Sequence, residues 1–223
     1  MTSSSAARCL VVAKAPVPGR CKTRLGATVG YDVAAEVAAA SLLDTLAACA
    51  TAFSPERCVL ALDGELAQAV SGAELLGATA GWTVVRQRGS GLGARLAHAH
   101  ADSGPGPVVQ VGMDTPQLTP ALLTSLADRL DAHEAVLGPA PDGGWWALAL
   151  RDGRAAAPLV RVPMSTPHTG AATVAALEAS GVSVTLGPSL RDVDTASDAE
   201  AVAGDCPDGR FAAAWSRARG ARP

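Results

Sequence analysis

Residues 9–25 read Cys9-Leu10-Val11-Val12-Ala13-Lys14-Ala15-Pro16-Val17-Pro18-Gly19-Arg20-Cys21-Lys22-Thr23-Arg24-Leu25, an apolar, β-branched run set directly against a basic loop. The first five have the composition of a buried strand, ended by Pro/Gly punctuation. Lys14 and Lys22 are the only lysines in 223 residues, and Arg20 and Arg24 stand beside them. Four cations at the carboxyl end of a strand suit a polyanion. Open α/β sheets bind ligands at that edge, and clustered Lys and Arg with spare backbone N–H groups stabilise phosphate or diphosphate. The two prolines and Gly19 fix the loop's path and lower the cost of holding the charges together. A solvated basic loop is the alternative, but the strand end and the Pro-x-Pro-Gly frame favour an anion site. It is not a Walker A loop, because Arg20-Cys21-Lys22-Thr23 lacks the glycine before the lysine.

Downstream, apolar strand-like runs alternate with helical ones. Residues 33–52 form a long helical stretch with Val37, Leu42, Leu43 and Leu46 on one side; 58–62, 82–85 and 108–112 read as strands two to four. A helix is expected over 120–131, where Thr119 precedes a proline at the first helical position. Strands follow at 135–138, 145–150 and 182–186. This βαβα order predicts an α/β, Rossmann-like three-layer sandwich with a mainly parallel central sheet. The length suits a single domain, over residues 8–205, with 1–7 as a disordered N-terminus and 206–223 as a peripheral C-terminal helix or tail.

Net charge is −3, which offers no general pull toward nucleic acid or anionic lipid, so neither nucleic acid nor membrane is expected as a partner. No apolar stretch approaches the length of a membrane span and no signal peptide core is seen, so a cytoplasmic location is expected. Five cysteines without a C-x-x-C fit free thiols in a reducing compartment. Cys21, among the cations, is either placed for a lowered pKa or an incidental small residue.

Four further constellations carry chemistry. Asp114 follows an apolar strand and should project from the edge where the basic loop emerges; it reads as a metal ligand facing phosphate or as an Asx-turn residue before Thr115-Pro116. Asp142-Gly143-Gly144-Trp145 is either a plain hairpin turn or a close approach to ligand, with Asp142 as a base or second acidic ligand. Ser165 or Thr166 could cap a helix, and His168 could bind metal or phosphate. In Asp192-Val193-Asp194-Thr195, a Thr195 cap with Asp198 explains part of the pattern, and Asp192 and Asp194 point the same way. The glycine loop Gly89-Ser90-Gly91-Leu92-Gly93 lacks dinucleotide spacing but could floor a nucleotide pocket with Arg95.

Taken in order, Ala13-Lys14-Ala15-Pro16-Val17-Pro18-Gly19 with Lys22-Thr23-Arg24-Leu25, Gly91-Leu92-Gly93 with Arg95, Gly112-Met113-Asp114-Thr115-Pro116, Asp142-Gly143-Gly144 and Asp192-Val193-Asp194-Thr195 resemble the rSAM/selenodomain-associated transferase 1 family. That family is grouped with glycosyltransferases of the nucleotide-diphospho-sugar transferase superfamily. The basic loop is also similar to that of phospholactate and molybdenum cofactor guanylyltransferases. The chain departs from the family pattern at Met113 and Trp145, where a serine and a tyrosine are usual, and at Met164, where a tryptophan is usual.

The resemblance implies a GT-A type fold and a transferase using a nucleotide-diphosphate sugar to glycosylate a small-molecule acceptor. In that reading Mg²⁺ or Mn²⁺ sits on Asp114, with His168 as a minor further ligand. Ala13, Lys14, Ala15, Gly19, Arg20, Lys22, Arg24, Gly91 and Arg95 bind nucleotide. Lys22 and Arg24 also offset leaving-group charge, and Asp142 is the base. The alternatives are a nucleotidyltransferase, which joins a nucleoside triphosphate to a phosphorylated small molecule and releases pyrophosphate, and a non-catalytic nucleotide-binding module. Oligomeric state is not legible.

Overall fold

Strand β1 (Arg8–Lys14) lies mid-sheet because both faces of its pleat are apolar: Cys9, Val11 and Ala13 enter one core, Leu10 the other. The computed structural model describes residues 7–220. Residues 1–6 of the expected disordered N-terminus lie outside them, whereas Ala7 is fully buried.

The chain continues through α1 (Thr23–Val29), α2 (Tyr31–Phe53), β2 (Cys58–Asp63), α3 (Gly72–Ala78), β3 (Thr83–Arg86), α4 (Leu92–Asp102), β4 (Val108–Val111) and α5 (Pro120–Arg129). Then come β5 (Ala135–Pro139), β6 (Trp145–Leu150), a 3₁₀ segment (Gly153–Arg161), α6 (Thr169–Glu178), β7 (Val184–Leu186), α7 (Ala196–Asp205) and α8 (Arg210–Gly220). The seven strands form one sheet in the order β3-β2-β1-β4-β6-β5-β7. Pairing is parallel except at β6, which runs antiparallel to both β4 and β5. The mainly parallel three-layer α/β sandwich is therefore present. One core packs α2, α3 and α5 on one face; the other packs α4, the 3₁₀ segment and α6 on the opposite face.

Helix α2 corrects one expectation. At 23 residues and mean hydropathy 1.6 in its most apolar window, it is long and apolar enough to cross a membrane. Alanine accounts for much of that apolarity, which conceals it in a chain rich in alanine throughout. Here 14 of its residues are buried against the sheet and neighbouring helices. Its Asp44 accepts backbone N–H bonds from Arg210 and Phe211, at 3.2 and 2.9 Å, and so satisfies the first turn of α8. Helix α8 in turn buries Phe211 and Trp215 in a third cluster with α1, α2 and α7.

Two helix starts follow the expected chemistry. Thr119 accepts from Leu122 N at 3.2 Å before Pro120. Thr195 and Asp198 form a reciprocal capping box at α7. The start of α6 differs: its N-cap residue, His168, makes no side-chain cap bond, and Thr166 Oγ1 instead takes the His168 N–H at 3.2 Å.

Candidate functional site

The carboxyl ends of β1 and β4 open into a two-lobed cleft on the α4 side of the sheet. Its lobes measure about 560 and 540 Å³ and share Val12, Arg24, Leu92, Met113, Asp114, Ser165 and Asp194 in their walls. The smaller lobe collects the cations expected from the sequence: Lys14, Arg20, Lys22, Arg24 and Arg95, beside Ala13 and Gly91. The larger is walled by the carboxylates of Asp114, Asp142, Asp192 and Asp194, with Trp145 and Gln110. Asp114 thus stands where a basic and an acidic lobe meet.

Local structure explains each position. Lys22 sits at the N-cap of α1 with φ 47°, left-handed for a residue with a Cβ. This turn sends its side chain inward, where it is only 8% exposed. Its Nζ lies 2.8 Å from Asp114 Oδ1 and 3.3 Å from Asp194 Oδ1, and it donates to the Val193 carbonyl. Val193 N bonds the Asp114 carbonyl at 2.9 Å, so the segment before α7 is laced to the end of β4. Burial alone would lower the Lys22 pKa, but Asp114 and Asp194 more than offset it and leave it raised. Arg24, largely exposed, pairs with Asp194 at 3.0 Å, and Arg95 pairs with Asp63 at 2.8 Å. Among the described residues Lys14 and Arg20 make no ion pair.

The Asp142-Gly143-Gly144 turn is the expected hairpin, and it also places Asp142 in the cleft wall. It connects the antiparallel β5 and β6, and Asp142 Oδ1 accepts the Gly144 N–H at 2.8 Å. Gly143 has φ +87°, and a Cβ there would meet the Pro167 carbonyl at 1.9 Å. That contact, with the Gly170 N bond to Gly143 O at 2.8 Å, docks residues 163–170 on the hairpin. Trp145 Nε1 donates to Thr173 Oγ1 at 3.1 Å, which orients its ring in the wall of the acidic lobe. Asp192 has its pKa raised to about 6 by burial and by Asp142 and Asp194.

Two expectations do not match this geometry, and Cys21 takes the second of its two readings, an incidental small residue. His168, the N-cap residue of α6, is exposed and lines neither lobe, whereas the helix's first residue, Thr169, is buried and walls the acidic lobe. Ala15 and Gly19 also stay out of the cleft: Ala15 N bonds Asp63 O at 2.8 Å, and Gly19 supplies a positive φ, +73°, to the loop's turn. Cys21 is buried with its pKa raised by that burial; a bond to the Val17 carbonyl and the charge of Lys22 oppose the shift without reversing it. All five cysteines are free.

The model of the family DUF2064, described as an uncharacterized protein conserved in bacteria, matches residues 45–166, more than half of the chain. The chain belongs to this family. The matched span takes in Gly91, Arg95, Asp114, Asp142 and Trp145 and leaves Lys14, Lys22 and Asp194 outside it. No curated protein sequence matches the chain. Among solved structures, a protein of Desulfovibrio desulfuricans G20 provisionally assigned as a nucleotide-diphospho-sugar transferase is similar over 99% of this chain and 95% of its own, with TM-score 0.80 and 25% identity. A cytidylyltransferase from Leptospira borgpetersenii serovar Hardjo-bovis matches at TM-score 0.56 and 15% identity over 86% and 82% of the two chains. CMP:2-keto-3-deoxy-manno-octonic acid synthetase complexed with CTP matches at 0.57 and 12% over 89% and 97%. The last two share the fold. This family member has the architecture of nucleotide-diphospho-sugar transferases.

Sequence reasoning missed several wall residues. Gln87, at the end of β3, donates to the Ala13 and Ala61 carbonyls at 2.8 and 3.0 Å and walls the basic lobe. Gln110 is buried mid-strand in β4 against His100, with Nε2 to Oε1 3.1 Å, and walls the acidic lobe. Ser165, read from the sequence only as a helix-cap candidate, adopts φ 60° in the wall shared by both lobes. A glutamine inside an apolar strand was the one visible signal among these.

The donor chemistry suits a hard divalent cation. Among the described residues no three His, Cys, Asp or Glu side chains converge as a ready-made metal site. Asp114 and Asp194, however, approach one common nitrogen, and Mg²⁺ characteristically takes one or two carboxylates together with substrate phosphate oxygens.

Proposed function

We propose that this chain is a divalent-metal-dependent transferase that moves a sugar from a nucleotide diphosphate donor to a small-molecule acceptor, working in the cytoplasm. The observation that carries this reading is the junction of a cationic and a carboxylate-lined lobe at Asp114. The likeness to the Desulfovibrio protein supports it. The basic lobe takes the diphosphate: Lys14 and Arg20 have no carboxylate partner among the described residues, so their charge is available to phosphate oxygens without breaking an ion pair. Gly91, at the start of α4, lets backbone approach the ligand closely at φ +84°. Asp114, with Asp194, would hold Mg²⁺ or Mn²⁺, which would supply positive charge to offset that of the departing diphosphate. In the acidic lobe Trp145 offers an apolar face to the acceptor, and Asp142 stands within the same wall as the base that takes the acceptor's hydroxyl proton. The Asx bond from Gly144 fixes one Asp142 oxygen and leaves the other for that proton.

The test is a thermal-shift screen against nucleoside diphosphates, triphosphates and nucleotide sugars, each with and without Mn²⁺, followed by product analysis on the best donor. Stabilisation by a diphosphate or its sugar only with metal, and loss of nearly all turnover in folded Asp114→Asn, are expected. Pyrophosphate released from a preferred triphosphate would replace sugar transfer with nucleotidyl transfer. Tight binding without turnover across donors would leave a nucleotide-binding module.

A further inference from the structure

Lys22 does not stand as a phosphate-gripping lysine should. Its ammonium has three N–H donors and sits among three protein oxygens: the Val193 carbonyl, Asp194 Oδ1 and Asp114 Oδ1. The first two are aligned hydrogen bonds. The third, at 2.8 Å, is a close ion pair, and among the described residues the ammonium is the cation that neutralises the buried Asp114 Oδ1. Such an oxygen is costly to leave in place unless a cation faces it. Lys22 is therefore committed to the carboxylates, unlike Lys14, and it occupies the ground beside Asp114 that a metal would need.

We propose that Lys22 is the built-in counter-cation of the cleft. It holds Asp114 and Asp194 in place, and a divalent cation must displace it from Asp114, so that the metal enters with the nucleotide rather than ahead of it. The inference rests on the metal part of the function proposed above. The physical reason is charge. A metal arriving alone meets an ammonium that already neutralises its ligands, and two cations at a few ångström repel strongly in a partly buried site. A diphosphate brings the negative charge that lets both stay. Lys22 is thus a positioning residue, acting through Asp114 and Asp194.

Two measurements test it, both with metal alone. Mn²⁺ titrated by calorimetry into wild type, Lys22→Met and Lys22→Arg should bind about tenfold or more tightly to Lys22→Met than to the other two, since only that variant loses the competing charge. The chain's only lysines are Lys14 and Lys22, so acetylation followed by mass spectrometry reads each directly in the wild type, with no variant required to fold. Lys22 should react slowly without metal and faster at saturating Mn²⁺, while Lys14 serves as the exposed reference. Equal Mn²⁺ affinity in wild type and Lys22→Met, or Lys22 labelling unchanged by saturating metal, overturns the proposal. So does nucleoside diphosphate binding lost in Lys22→Met with Mn²⁺ binding unaltered, which would make Lys22 a phosphate ligand. The Mn²⁺ titration and the labelling contain no substrate, so they fail separately from the transferase reading, which is decided by the nucleotide screen and product analysis above.

Discussion

Acid should destabilise this protein through His100. The residue is fully buried on α4; its Nε2–H donates to Gln110 Oε1 at 3.1 Å, and Nδ1 has no partner. This tautomer leaves only a lone pair unpaired, whereas protonation would bury a charged N–H with no acceptor. Burial accordingly pulls the pKa down from 6.5 to about 4, with the Gln110 contact opposing it weakly. The unfolded chain then binds more protons than the folded one between those two values, so stability rises with pH there and is lost on acidification. At one pKa unit per 1.36 kcal/mol, the loss between neutral pH and about pH 4.5 is roughly 2.5 kcal/mol. Denaturant unfolding across that range should show it. His100→Gln keeps a donor for Gln110 but cannot titrate, so its stability should fall about 2.5 kcal/mol less over the same span, with the carboxylates common to both proteins cancelling. Parallel curves for the two would refute the reasoning. Because Gln110 walls the acidic lobe, the same protonation disturbs the cleft.

Gly143→Ala combines a positive φ with a collision against the Pro167 carbonyl, so it should cost more than about 2 kcal/mol and lower Tm by several degrees in calorimetry. Thr195→Ala removes one half of the α7 capping box and should cost about 1 kcal/mol, roughly 2–4 °C in Tm.

What was legible lies in short-range patterns. The β-branched run at residues 9–13, the helical periodicity of 33–52 and the Thr119-Pro120 start are written within a few neighbours, and each element formed near its expected place. The Thr195/Asp198 box is equally local. His168 shows the limit of such reading: a histidine near a helix start carries no information about the direction in which that helix faces. Asp192 and Asp194 show the converse, an ordinary acidic segment brought into the cleft wall because Val193 N bonds the end of β4.

The sequence by itself determined the α/β alternation, the basic loop at the end of β1 and the Asp114 strand end, because backbone propensity, side-chain period and turn chemistry act over a handful of residues. Only the tertiary structure decided that β6 runs antiparallel and delivers Asp142 to the acidic lobe, and that Lys22 meets Asp114 and Asp194 rather than solvent. The Lys22 contacts join residues 92 and 172 positions apart, and their energy depends on how much water the packed core removes from between them, which no local pattern records.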